Sequence, residues 1–178
     1  MVDLTVDSSI QQLNVTYHAE QDRLLLRIGL ADSSEILLWL TRRVLKTWWP
    51  MLQQSAQAAS PEVPDSVADP MQREIMQEFA REAAIHKLDF SEPYQQAREN
   101  RLQRPLLIEE LHLIEGANSP TVFEIKALNG QMLRINLNDE LILGLVQMLA
   151  LVSEKTDWDL ALSNDASTPL TLAPSAVH

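Results

Sequence analysis

The side chains in this sequence that could carry chemistry are its histidines and its paired acids. His112 alternates with two leucines next to Glu110, and such a pair could bind a metal ion, although a solvated strand face explains the pattern better. Asp139 and Glu140 look like a catalytic acid pair, but they open a predicted helix, where negative charge stabilises the N-terminal dipole. The chain holds four glycines and no cysteine, which argues against a glycine-rich phosphate loop and paired-cysteine chemistry. We therefore assign no catalytic, metal-binding or cofactor-binding residue and expect a protein that is not an enzyme.

A basic and aromatic cluster surrounds the first predicted helix, where three of the four tryptophans lie within eleven residues. Arginine beside stackable rings is what binding of single-stranded nucleic acid requires. The candidate contacts are Arg23, Arg27, Arg42, Arg43, Lys46 and Trp49. The alternative is structural: Trp48 lies on the core stripe of the helix, and Arg42 and Arg43 would pair with Asp139 and Glu140 of the second unit or of a second subunit. The net charge of −11 favours the structural alternative, because it repels phosphate.

The composition is that of a soluble globular protein, with 46% hydrophobic and 22% charged residues over 178 positions. The absence of cysteine fits a reducing compartment. The first ten residues lack the basic and apolar regions of a signal peptide. The longest apolar stretch, 141–152, is shorter than the ~20 residues that span a bilayer. We expect a cytoplasmic protein with no membrane partner.

Two segments of the chain repeat one pattern when the sequence is shifted by 97 positions. Apolar residues alternate with period two over three predicted strands, and a capping residue and an apolar helix face follow. Leu26 and Ile28 overlay Phe123 and Ile125, and the turn Asp32-Ser33 overlays Asn129-Gly130. The matched positions also include the pairs Ile36/Leu133, Leu38/Ile135, Leu40/Leu137, Thr41/Asn138, Val44/Leu141 and Trp48/Leu145. With one residue of slip, Leu13 and Val15 overlay Leu111 and Leu113.

This repeat predicts an α+β fold made of two tandem βββα units, 1–60 and 105–157. A three-stranded sheet with one helix leaves apolar surface uncovered, so each unit is expected to complete the core of the other. We predict antiparallel sheet, in one or two pieces, with helices packed on one face.

The segment between the units, 61–104, differs from both. Asp69-Pro70 is a helix start, and Met71, Ile75, Met76 and Phe79 give the following helix, about 69–87, an apolar stripe. Residues 57–68 are predicted to form a flexible link and 91–104 an exposed connection. The tail, 158–178, is rich in alanine, serine, threonine and proline and is predicted to be disordered.

The helix of the second unit carries the strongest indication of a partner, because almost no polar residue interrupts 141–152. A helix that is apolar all round must be covered on more than one side. We therefore predict a protein partner, in the form of a homodimer. The candidate self-association residues on this helix and on the inserted helix are Leu143, Val146, Leu151, Met71, Ile75 and Phe79.

Two stretches, E-I-L-L-W-L-T-R-R from Glu35 and L-D-F-S-E-P-Y from Leu88, resemble an uncharacterised family of bacterial proteins, which implies no activity. The repeated sheet-then-helix order is also similar to the Whirly and Pur-type single-strand binders, whose repeats have four strands rather than three. Two hypotheses follow from the sequence. The first is a non-enzymatic interaction or accessory protein that self-associates, and the second is a single-strand nucleic-acid binder.

Overall fold

The fold is described from a computed structural model, for residues 3–5, 9–64, 69–86, 93–95, 99–102, 104–116 and 119–160. The strands are β1 (Asp3–Thr5), β2 (Ile10–His18), β3 (Arg23–Leu30), β4 (Ser34–Leu40), β5 (Glu99–Asn100), β6 (Leu106–Gly116), β7 (Ser119–Ala127) and β8 (Met132–Leu137). The helices are α1 (Arg42–Ala58), α2 (Pro70–His86) and α3 (Asp139–Ser153). This order contains the two predicted βββα units, with α2 between them.

Each helix begins directly after its predicted capping residue. The Thr41 hydroxyl accepts a hydrogen bond from the Val44 N–H at 3.3 Å, and the Asn138 side chain accepts one from the Leu141 N–H at 2.9 Å. These bonds satisfy amide groups that the first helical turn cannot pair internally. Asp69 caps α2 in a related way, accepting from the Met71 N–H at 3.0 Å.

The two units share a single eight-stranded sheet in the order β1-β8-β7-β6-β4-β3-β2, with β5 also paired to β4. Pairing inside each unit is antiparallel, as predicted. The units meet through two parallel pairs: Leu38 and Trp39 of β4 lie opposite Leu106 and Leu107 of β6, and β1 pairs with β8. The sheet is therefore mixed rather than purely antiparallel, and the pairing of β4 with β5 is parallel as well.

The strand registers repeat with the offset seen in the sequence. Leu26 pairs with Leu38, and its counterpart Phe123 pairs with Ile135. On the other side Val15 pairs with Leu26, whereas Leu113 pairs with Phe123. The hairpin of β6 and β7 is thus one residue shorter than the hairpin of β2 and β3. This difference accounts for the slip of one position when β2 is overlaid on β6.

Both first strands also carry an irregularity at the same place. The register shifts between Ile10 and Gln12 in β2, and between Ile108 and Glu110 in β6. A bulge of this kind inserts one residue, here Gln11 or Glu109, and bends its strand.

The sheet is curled rather than flat. In the strand order β1 and β2 stand six strand spacings apart, about 29 Å in a flat sheet. Thr5 and Ile10 are five positions apart in sequence, which spans at most about 18 Å of extended chain. The inner faces of the two units therefore meet, and around a cavity of about 20 Å³ they contribute Leu13, Leu26, Ile28, Phe123, Ile125, Ile135 and Leu137, with Leu145 of α3.

Each unit covers the first strand of the other. Helix α3 packs against β2, and α1 packs against β6. Helix α3 also contacts α1, α2 and β8, so it is enclosed on several sides. This surrounding explains why its sequence lacks a polar face and confirms that the stretch 141–152 lies mainly in the core, with Leu151 its exposed member.

Two boundary predictions need correction. The predicted tail begins too early, because Trp158 is buried against Tyr17 and its indole N–H donates to Asp22. The connection 91–104 is not uniformly exposed: it supplies β5, and Tyr94 and Leu102 are half-buried. The predicted tail residues 161–178 and part of the predicted link, 65–68, lie outside the described residues.

Candidate interaction surface

The largest exposed apolar feature of the described chain is one side of α2. Met71 is 70% exposed, Ile75 48%, Met76 44% and Phe79 67%. Met71, Ile75 and Phe79 recur every four residues and lie along one face of the helix, and Met76 borders that face. We call these four residues the α2 stripe.

The α2 stripe lies in the part of α2 that the rest of the described chain does not cover, since every residue from Pro70 to Phe79 is exposed. Helix α2 contacts α3, and its half-buried residues, all in its C-terminal half, are Ala80, Arg81, Ala84 and Ile85. The N-terminal half of the helix is therefore exposed on all sides, and the C-terminal half makes the contact with the chain. A surface helix ordinarily turns its apolar side inward. Here the apolar side of the N-terminal half has no cover among the described residues, which leaves the α2 stripe as a docking element.

The six predicted self-association residues fall into two groups. Leu143 and Val146 are 4% and 3% exposed, because α3 is enclosed inside the single chain, so they offer no free surface. Leu151 on α3 and the three predicted residues of the α2 stripe remain exposed. The prediction therefore needs correction at Leu143 and Val146. Sequence periodicity could not separate a helix covered by its own chain from one covered by a partner.

Two grooves occupy equivalent places in the two units. The first, about 390 Å³, lies between β2 and α3 and is lined by Gln11, Gln12, Asn14, Asn138, Glu140 and Met148; we call it the amide groove. The second, about 410 Å³, lies between β6 and α1 and is lined by Arg43, Trp48, Met51, Glu110, Leu111 and His112; we call it the charged groove. Under the repeat offset Gln12 corresponds to Glu110, Asn14 to His112, Glu140 to Arg43 and Met148 to Met51.

The amide groove is already bordered by the segment between the units. The Gln12 side chain donates to the carbonyl of Gln95 at 2.7 Å and accepts from the Gln95 N–H at 3.2 Å. Gly29 makes this possible, because a Cβ there would come within 2.6 Å of Gln12 Cγ. Tyr94 anchors the same segment: its hydroxyl donates to the buried carboxylate of Glu35 at 2.9 Å, and its ring stacks with Arg27. Burial, and then this hydrogen bond, raise the pKa of Tyr94 well above 10.0.

The charged groove has a different rim. Lys126 approaches both Glu109 and Glu110, at 3.4 and 3.2 Å. Its hydrogen bond to Glu110 lowers the pKa of that carboxylate and raises the pKa of Lys126. His112 lies 3.7 Å from Glu110 but is mostly exposed. Within the described ranges no three His, Asp or Glu side chains are grouped to hold a metal ion.

The first turns of α1 present three cations. Arg42, Arg43 and Lys46 are all exposed. No ion pair within the described part of the chain joins them to Asp139 and Glu140, so the predicted pairing between the units is wrong. Cations at a helix N-terminus face the positive end of the dipole and favour an anionic neighbour.

The residues proposed for nucleic-acid contact are not assembled as that hypothesis requires. Trp49 is 6% exposed, because α1 packs against both β6 and α3 and therefore buries neighbouring residues of one turn. It is not available to stack on a base. Arg23 and Arg27 are half-buried on β3, and Arg27 lies 5.9 Å from the centre of the Tyr94 ring. Trp39 is half-buried and meets the ring of His18 edge-on.

No protein-family model, curated protein or solved structure matches this chain. The resemblances to the bacterial family and to the Whirly and Pur-type repeats thus gain no support from these comparisons. No helix among the described residues has the length and hydropathy that crossing a membrane requires.

Proposed function

We propose that this protein is a non-enzymatic interaction protein that self-associates through α2 and acts as an accessory or adaptor. The observation that carries the proposal is the α2 stripe, four large apolar side chains exposed to solvent on the half of a helix that its own chain does not cover. An exposed apolar patch of this kind, rimmed by polar residues, is typical of an interaction site.

Physical magnitudes favour a moderate affinity. Complete burial of one such side chain contributes about 1.5–3 kcal/mol. Association costs about 4–15 kcal/mol in lost freedom, so burial of the α2 stripe in both copies leaves a modest surplus. We expect a dimer with Kd on the order of micromolar, or about −8 kcal/mol.

Light scattering on the full chain tests this function. The unaltered protein is expected to change from monomer to dimer as its concentration rises through the micromolar range. Phe79→Asp places a charge in the α2 stripe and is expected to leave only monomer. Leu128→Asp is the matched control, because Leu128 is 62% exposed but lies in the turn between β7 and β8. A monomer at every concentration, or equal effects of the two substitutions, contradicts the proposal.

A further inference from the structure

The proposed self-association leaves open which surface of the second copy receives α2. A comparison of equivalent places in the two repeated units indicates one surface. In the first of the two equivalent places, α3 is contacted by the C-terminal part of α2, and the amide groove beside it is bordered by Pro93–Gln95. In the second place, α1 and the charged groove have no corresponding cover among the described residues. The inserted segment that covers one place occurs once in the sequence.

Resting on the proposed function, we propose that the charged groove of one copy receives the α2 stripe of a second copy. Each α2 would then contact its own α3 through its C-terminal half and the partner's charged groove through the α2 stripe. Each contact joins two unlike surfaces, the α2 stripe of one copy and the charged groove of the other. Because the contact occurs twice, related by a twofold axis, the assembly is a closed dimer.

Chemical complementarity supports this occupant. The charged groove has an apolar floor of Val44, Trp48, Met51 and Leu111, to which an apolar stripe can add. On the α1 side its rim is basic, with Arg43 lining the groove and Arg42 and Lys46 exposed nearby.

The flank of the α2 stripe has the opposite sign. Glu74, Glu78 and Glu82 are exposed and recur every four residues beside Met71, Ile75 and Phe79. Opposite charges across an interface favour the correct partner and orientation. A second α2 offers a poorer surface, because a symmetric antiparallel pair of these helices would set acidic flank against acidic flank.

Charge reversal in separate copies tests the contact by sedimentation velocity. Arg43→Glu alone, and Glu74→Arg/Glu78→Arg alone, each place like charges at both contacts of a dimer and are expected to weaken dimerisation about tenfold or more. An equimolar mixture of the two variants restores opposite charges at both contacts of the mixed dimer. Its affinity is expected to return to within about threefold of the unaltered protein, since the two contacts are reciprocal.

Glu140→Arg provides the matched control, since Glu140 occupies the position equivalent to Arg43 in the amide groove. It is expected to leave dimerisation unchanged, in contrast to Arg43→Glu. Circular dichroism at the same concentrations establishes that each variant is folded.

The outcomes separate this inference from the proposed function. A dimer that is lost with Phe79→Asp but is unaffected by Arg43→Glu means that the α2 stripe docks elsewhere, so the inference fails and the function stands. Failure of the mixed sample to dimerise also overturns the inference. A strictly monomeric parent protein overturns both.

Discussion

At the scale of single residues, the reliable sequence signals were those set by neighbours along the chain. Thr41, Asn138 and Asp69 cap their helices as predicted, because a capping bond joins residues two or three positions apart. The burial of Trp49 could not be predicted, because it depends on α1 being packed between β6 and α3, which are distant in sequence. The contacts of Tyr94 and Gln95 were missed for the same reason, since Gln12 and Glu35 lie more than fifty residues away.

The Tyr94 hydroxyl is the residue-scale prediction. Tyr94→Phe removes the donor to the buried Glu35 carboxylate and is expected to lower the free energy of unfolding at pH 7 by about 1–3 kcal/mol. Tyr17→Phe is the control. Tyr17 also donates to a carboxylate, that of Asp22, but in an exposed setting, so a smaller loss is expected in urea unfolding. Equal losses in the two variants would contradict the assigned anchor.

The same hydroxyl predicts a pH dependence. Because the folded state raises the pKa of Tyr94 above 10.0, the folded chain holds this proton more tightly than the unfolded chain does. The contribution is complete below pH 10 and is lost as the pH rises above it. Tyr94→Phe should therefore flatten part of the fall in stability above pH 10, leaving the part that Tyr17 contributes, whose pKa is also raised.

At the scale of elements, periodicity was enough to predict the three strands and one helix of each unit. It could not predict the bulges at Gln11 and Glu109, because an inserted residue breaks the alternation on which the prediction depends. It also could not predict which part of α2 contacts the chain. The pattern showed the α2 stripe, and the fold leaves the stripe uncovered because only the C-terminal half of α2 is packed.

The turn between β7 and β8 provides an element-scale prediction. Gly130 has φ +83°, and a Cβ added there would meet nothing within 4 Å. Gly130→Ala should therefore cost about 1 kcal/mol through backbone conformation alone. Its counterpart Ser33 has φ +65°, so Ser33→Gly should change stability little or raise it slightly. Thermal unfolding of both variants measures these changes in stability. A Gly130→Ala variant as stable as the unaltered protein would contradict the equivalence of the two turns.

At the scale of the whole molecule, the repeat predicted two units that complete one core. The curled sheet brings the inner faces of the two units together, and the helix of each unit packs on the first strand of the other. The parallel junction of Leu38 with Leu106 was not predictable, because it joins residues with α1 and the whole inserted segment between them. Helix α3 is enclosed because it packs against β2, α1, α2 and β8 of its own chain. The main candidate interaction surface is therefore on α2 rather than on α3.

The protection of the α2 methionines tests the central claim most directly. Met71 and Met76 are exposed in the single chain, so dilute protein should be oxidised by peroxide at both, as measured by peptide mass spectrometry. If the α2 stripe is buried between copies, both rates should fall severalfold as the concentration rises through the micromolar range, while Phe79→Asp abolishes this protection. Equal oxidation of Met71 and Met76 in dilute and concentrated samples would contradict the account.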